Sequence, residues 1–204
     1  MKLYGSLTSP YVRKVRMVLI EKGLRYDMTV EGPADAAGNV ARLNPLRAIP
    51  VLERADGEVY FDSPVICEYL DSLNDTPRLY PPGGEPRWQA LRWHALGQGM
   101  MDATVARFVE LRKPAEKQDA AIAGKHEARI AAAMAYANER VPASGFIQGS
   151  RIGIADIALG AALGYIDLRH AHDWRGKFPT LAAWFAPLSQ RASFTETLAP
   201  ELKK

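Results

Sequence analysis

Residues 6–23, S-L-T-S-P-Y-V-R-K-V-R-M-V-L-I-E-K-G, restrict the fold more than any other stretch of the chain. A short run, Met1 to Gly5, gives way to three hydroxyl residues, Ser6, Thr8 and Ser9, and then to an amphipathic segment that opens on Pro10 and stops at Gly23. Proline suits the first helical position, where its missing N–H has no intrahelical partner, and the serine before it can cap the helix through Oγ. Val12, Val15, Val18 and Leu19 recur at helical spacing, and Gly23 stands where a helix closes on a C′ residue. The stretch reads as a strand turning sharply into a helix. A helix N-terminus carries about half a positive charge and unpaired amides, so hydroxyls gathered there can help hold an anion, a thiolate among them. The basic side chains of this segment, Arg13, Lys14 and Arg16, read as a solvated helix face.

Strand-like runs at 1–5 and 26–30 flank that helix and complete a βαβ unit. A short helix is expected within 33–43. Val51 to Arg54 and Glu58 to Phe61 then flank Ala55-Asp56-Gly57, the signature of a β-hairpin. The Ser-Pro device recurs at Ser63 and Pro64, read as N-cap and first helical position, with Val65, Ile66, Tyr69, Leu70 and Leu73 as the apolar face. The order is βαβαββα.

From Asn74 to Pro86, prolines and adjacent glycines without periodicity mark a linker. Beyond it no strand is expected. Helices are predicted over 87–112, with apolar stripes Trp88, Leu91, Ala95 and Trp93, Leu96, Met100 that call for cover on more than one side, and over 125–141. A nearly all-apolar helix follows over 154–168, where Gly160 and Gly164 permit close approach, then a last one over 180–190. The chain thus divides into an α/β domain, 1–78, and an all-helical domain, 87–204, joined by a linker at about 74–86.

Several functions are set aside on composition. One cysteine, Cys67, rules out an intramolecular disulfide, a C-x-x-C pair and a cysteine-rich zinc site, and its apolar surroundings mark a buried small hydrophobe. A net charge of +3 spread along the chain argues against nucleic acid as a partner. No apolar run reaches the roughly 18 residues of a membrane span, and the opening M-K-L-Y-G-S lacks an apolar leader core, so the expected location is cytoplasmic. His170 and His172 fall on different faces of a helix, and His94 and His126 lack a serine–acid pairing, so neither a metal set nor a hydrolase triad is expected.

Ser9-Pro10, Ile49-Pro50 and Asp62-Ser63, in that order in a βαβαββα domain followed by helices, resemble the cytosolic glutathione transferases, and the resemblance spans essentially the whole chain. It implies a thioredoxin-like N-terminal domain that binds glutathione as co-substrate, with no tightly bound cofactor. It also implies a helical domain lining the pocket for a small hydrophobic electrophile. A homodimer is implied too, with contacts from the helix at 64–73 and the long helix from Arg87. By the same resemblance Ser9 contacts the glutathione sulfur, its hydroxyl donating to a thiolate whose pKa the helix dipole lowers, with Ser6 and Thr8 as rivals. Ile49-Pro50 matches the family's cis-proline, which leaves the Ile49 backbone free to pair with the cysteinyl unit as an added strand would. Asp62 and Ser63 match the γ-glutamyl site. Arg47 stands near the position where relatives often carry a lysine for the glycyl carboxylate. In G-S-R-I-G-I-A-D, Gly153 occupies the helix cap where the family has Ser or Thr, leaving Asp156 with half a capping box. Conjugation of the thiolate to the electrophile is the expected activity. The alternatives are a glutathione-dependent isomerase and a non-enzymatic interaction protein of the same fold.

Overall fold

In the computed structural model, which describes residues 1–33, 35, 37–170 and 173–202, strand β1 (Lys2–Gly5) runs parallel to β2 (Asp27–Val30), with helix α1 (Pro10–Glu21) between them in sequence. Helix α2 (Asn39–Leu43), strands β3 (Val51–Glu53) and β4 (Val59–Tyr60) and helix α3 (Ser63–Ser72) follow. The sheet order is β2-β1-β3-β4, with β3 antiparallel to both neighbours and Leu3 opposite Met28 on one side and Leu52 on the other. This is the expected βαβαββα arrangement. Val12, Val15, Val18 and Leu19 are fully buried, each contributing about 1.5–3 kcal/mol of transfer free energy. Helix α1 ends as its sequence predicts. Gly23 takes φ +63, Leu24 N–H donates to Leu19 O at 2.9 Å and Gly23 N–H to Ile20 O at 3.0 Å, a Schellman closure. The hairpin turns at Gly57 (φ +88), where Arg54 N–H donates to Glu58 O at 2.8 Å.

Past β4 no further strand forms among the described residues. Helices α4 (Gly84–Leu111), α5 (Ala120–Asn138), α6 (Ile154–Arg169), α7 (Trp174–Lys177), α8 (Pro179–Leu188) and α9 (Ala192–Thr195) follow. Residues 154–166 of α6 are buried without interruption. Helix α4 approaches it at Gly97, where a Cβ would stand 2.6 Å from the Ala158 carbonyl carbon, so even alanine would push the helices apart. Trp93 and Met100 on α4 are buried, whereas Trp88 is 64% exposed, so the chain covers only one of the two predicted stripes. Helix α5 starts before the predicted Lys125 because the Asp119 carboxylate caps it, accepting from Ala121 N–H at 2.8 Å and Ile122 N–H at 3.2 Å. Periodicity also passed over α7, whose buried Trp174 donates Nε1–H to Asp167 at 2.8 Å. No described helix is long and apolar enough to cross a membrane.

The chain forms two units, Met1–Tyr80 with Ala192–Lys204, and Pro81–Arg191. The sequence reading placed everything from 87 onward in the helical domain, yet the final segment belongs to the first unit. Four of its hydrogen bonds are with α1. Arg13 donates to Thr197 Oγ1 at 3.3 Å and Phe194 O at 3.2 Å, Arg16 donates to Glu196 O at 3.3 Å, and Ser193 Oγ donates to Glu21 at 2.6 Å. The expected solvated basic face is therefore corrected, since Arg13 and Lys14 are buried. Residues 74–80 are likewise built into the first unit, and the predicted linker is free of it only beyond Tyr80. Lys22 Nζ donates to the carbonyls of Asn74 (2.6 Å) and Pro77 (2.7 Å), while Asp71 accepts from the amides of Leu79 (2.8 Å) and Tyr80 (3.0 Å).

Candidate functional site

Three short segments of the first unit carry the residues singled out by sequence. At the start of α1, Ser9 is the N-cap, its Oγ accepting from Val12 N–H at 3.4 Å while its carbonyl accepts from Arg13 N–H at 3.0 Å. That contact uses the oxygen and leaves the hydroxyl proton available for donation. Ser6 Oγ and Thr8 Oγ1 lie 3.0 Å apart and bond to each other, and Thr8 N–H donates to Ser6 Oγ at 3.3 Å, so both hydroxyls are tied into the loop before the helix. Tyr4, on β1 nearby in sequence, donates its hydroxyl to Glu53 at 2.5 Å. Burial and that carboxylate push its phenol up to about 12, so Tyr4 keeps its proton and serves the sheet.

Gly5 joins the first segment to the second. A Cβ there would stand 2.4 Å from Val12 Cγ2 and 3.5 Å from Ile49 Cβ, so its bare backbone lets the end of β1, the first turn of α1 and Ile49 meet. Ile49 packs on the cluster of Tyr4, Val40 and Val51, and the Ile49–Pro50 peptide is cis. The loop before it is shaped by buried Asn44, whose Nδ2 donates to Ala48 O at 2.8 Å and whose Oδ1 accepts from Leu46 N–H at 3.0 Å. Arg47 sits on that loop with φ +51, a left-handed conformation uncommon outside glycine, and is exposed. Its guanidinium has no partner among the described residues and joins none of the other candidate groups.

The third segment corrects one assignment. The N-cap of α3 is Asp62, whose carboxylate accepts from Ser63 N–H, while Ser63 is already helical and Pro64 follows it. Two acceptors compete for one helix start, and the carboxylate takes the amide. Ser63 is thereby buried, and its Oγ has no hydrogen-bond partner. The Phe61–Asp62 peptide is also cis. Helix α3 packs on α1, which puts the second Ser-Pro helix beside the first.

The groups set aside on sequence lie elsewhere. Cys67 is buried in α3, and burial pushes its thiol up to about 11, opposite to the needs of a nucleophile. His94 is buried in α4, and His172 lies outside the described residues. No group of three or more His, Cys, Asp or Glu able to hold a metal occurs among the described residues.

Local motif reading missed the residue that completes the start of α6. Gln148 Oε1 accepts from Ala155 N–H at 2.9 Å, taking the place of the missing cap hydroxyl. Asp156 accepts from Gly153 N–H at 2.9 Å and Ile147 N–H at 2.8 Å. Gly153 is the trace that sequence holds of this arrangement, because a Cβ there would lie 2.2 Å from Gln148 Oε1. Burial pushes the Asp156 carboxyl up to about 6, against the backbone amides that pull it down.

The family pattern of the glutathione S-transferase N-terminal domain matches residues 8–73, and that of the glutathione S-transferase C-terminal domain matches residues 102–186. The GST-like protein YibF of Escherichia coli is 34% identical over 202 residues, covering 98% of this chain and 100% of that protein. A glutathione S-transferase from Methylobacillus flagellatus, solved with glutathione bound, superposes with a TM-score of 0.92 at 39% identity, covering 96% of this chain and 98% of that one. A glutathione transferase family member from Pseudomonas fluorescens, solved with S-(propanoic acid)-glutathione, gives 0.88 at 35% identity, covering 98% and 99% of the two chains.

Proposed function

The chain belongs to the glutathione S-transferase family, and from that premise we propose that it conjugates the thiolate of glutathione to small hydrophobic electrophiles, with Ser9 as the catalytic group. The observation that carries this reading is the Ser9 hydroxyl at the N-terminus of a helix of 12 residues, its oxygen used by Val12 N–H and its proton available. A thiolate sulfur there receives the Ser9 O–H and the positive end of the helix, both of which favour the ionised form and lower the thiol pKa. The sulfur then forms a bond to the electrophilic carbon, the leaving group departs with the electron pair of the broken bond, and the thiol proton passes to solvent.

The rest of the tripeptide fits the other segments in this reading. The Ile49 backbone pairs with the cysteinyl unit beside Pro50. Ser63 Oγ, which has no hydrogen-bond partner among the described residues, receives the γ-glutamyl carboxylate at the start of α3, while the exposed carboxylate of Asp62 receives the amino group. Arg47 pairs with the glycyl carboxylate. A relative with glutathione bound and one with an S-substituted glutathione support glutathione as co-substrate.

Homodimer formation belongs to the same proposal. Val65 and Leu73 are 51% and 42% exposed on α3, and Trp88 is uncovered on α4. Such a pattern fits a second copy, in a cytoplasmic enzyme. Sedimentation at low micromolar concentration near 22.5 kDa excludes a tight dimer, and twice that mass supports it.

The decisive experiment is turnover of an aryl halide with glutathione by wild type and by Ser9→Ala. A charge-assisted hydrogen bond contributes about 1.5–3 kcal/mol, so the variant should lose roughly 10- to 150-fold in rate. Equal rates overturn the role of Ser9. Absence of glutathione binding by folded wild type overturns the transferase reading as a whole.

A further inference from the structure

Pro45, Leu46, Arg47 and Ala48, the exposed residues between α2 and β3, are held by one side chain. Asn44 is 2% exposed and is itself fixed at the end of α2, where its N–H donates to Val40 O at 2.9 Å. Its Oδ1 accepts from Leu46 N–H at 3.0 Å, its Nδ2 donates to Ala48 O at 2.8 Å, and its carbonyl accepts from Arg47 N–H at 2.9 Å. Among the described residues, every hydrogen bond to 45–48 ends on Asn44. Ile49, the next residue, meets Val12 of the first turn of α1 at Gly5, so this loop runs up to the helix that Ser9 caps.

Within that loop Arg47 takes φ +51, and among the described residues no other residue except glycine has a positive φ. Glycine adopts this conformation freely, whereas a Cβ makes it unfavourable. A turn that had only to join α2 to β3 would be better served by glycine at 47. What arginine adds is a guanidinium, exposed and without a partner among the described residues, whose fork of donors matches a carboxylate. The three bonds from Asn44 hold the backbone in the conformation that arginine by itself disfavours.

We propose that Asn44 is a positioning residue for the thiol co-substrate. By fixing 45–48 it presents Arg47 to the glycyl carboxylate, and so sets the preference for glutathione over γ-glutamylcysteine, the same thiol without its glycine. The proposal rests on the reading above, in which Arg47 pairs with that carboxylate. Asn44 acts through Arg47 and makes no contact with the sulfur or the electrophile. A turn with a purely structural role would act differently, because its loss would weaken the two thiol peptides alike.

The test is titration calorimetry of the full chain with glutathione and with γ-glutamylcysteine, and the quantity read is the ratio of the two affinities. Arg47→Gly removes the guanidinium and suits the backbone, and it should lower that ratio about 5- to 10-fold, between the effect of an exposed ion pair and that of a charge-assisted hydrogen bond. Asn44→Ala should lower it as far with Arg47 still present, and should change it no further in the Arg47→Gly background. Asn44→Asp keeps the acceptor for Leu46 N–H and loses the donor to Ala48 O, so it should give an intermediate ratio, and it serves where Asn44→Ala does not fold. In steady-state kinetics the loss should fall on KM for glutathione, with kcat little changed. An unchanged ratio in the folded Asn44 variants, with turnover intact, overturns the positioning role alone. A further fall when Asn44→Ala is added to Arg47→Gly overturns the route through Arg47, and a wild type that binds both peptides equally overturns the proposal outright. A ratio that falls as expected in a protein that turns over no electrophile supports the role of Asn44 and counts against conjugation alone.

Discussion

Lys22 Nζ lies 2.8 Å from Asp71 Oδ1, with both side chains almost wholly removed from solvent. The ammonium also donates to the Asp71, Asn74 and Pro77 carbonyls, and the carboxylate also accepts from the amides of Leu79 and Tyr80, so one ion pair ties the end of α1 to the end of α3 and to residues 74–80. Removing one partner of a buried pair strands the other charge, at a cost of about 3–5 kcal/mol, whereas removing both together costs much less. Asp71→Ala should therefore lower the urea midpoint sharply, and Lys22→Met combined with Asp71→Leu should restore most of it. If the double variant is as unstable as the single one, the charges are not what holds this corner.

Ser9 both caps α1 and, in the proposed mechanism, donates to the thiolate. The cap bond at 3.4 Å is long, so its loss in Ser9→Ala should cost only about 0.5–1 kcal/mol of stability. The chemical effect should be distinct. Losing a donor to the thiolate raises the pKa of bound thiol, so the rising limb of the kcat–pH profile should move to higher pH. A fall in kcat with that limb unmoved would assign Ser9 a structural role.

Asp156 makes the helical unit sensitive to acid in an unusual direction. Burial holds its carboxyl at about 6 in the fold, above its ordinary 3.8. A group with a raised folded pKa contributes its stability fully below the unfolded value, and the contribution fades as pH rises through the folded value. Between about pH 4 and pH 6 wild type should lose stability relative to Asp156→Asn, on the order of 3 kcal/mol at most. Urea midpoints of the two proteins across that range would show it; parallel curves would mean that the backbone amides of Ile147, Gly153 and Asp156 itself keep the carboxylate charged throughout.

The start of α6 offers a test of side-chain substitution at a helix cap. Motif logic favours Gly153→Ser, which completes a capping box. The new Cβ would displace the Gln148 amide from Ala155 N–H, so one cap replaces another with little net gain. The informative quantity is the coupling. Gln148→Ala should cost about 1 kcal/mol in wild type and close to nothing in Gly153→Ser, measured by chemical denaturation as a double-mutant cycle. Equal costs in both backgrounds would show that Gln148 does not act as the cap.

Much of the candidate site was legible in the residues themselves. Ser9, Ile49, Pro50, Asp62 and Ser63 were singled out from dipeptides whose meaning is local, and the resemblance supplied their order. What could not be read was the choice between neighbours. Asp62 rather than Ser63 caps α3, and that exchange buries the Ser63 hydroxyl. Arg47 was named from its place beside Ile49, but its left-handed backbone is set by Asn44, through hydrogen bonds that no motif announces.

The chain alone determined whatever acts within about one helical turn: Ser9-Pro10 and Gly23 at the ends of α1, the Asp56-Gly57 turn, and the apolar run that makes α6 a buried helix. Capping, turn geometry and periodicity are decided by side chains a few bonds from the backbone they act on, so they survive translation into a linear string. Tertiary structure decided where the charged and polar groups end. Arg13 looked solvated because its partner, Thr197, is 184 residues away. Lys22 finds Asp71 across 49 residues, Gln148 reaches past Gly153 to Ala155, and Arg169 lies against Phe108 from a different helix. Each of these contacts is made only after the apolar faces have packed, because a charge loses its water only when a fold is already there to replace it.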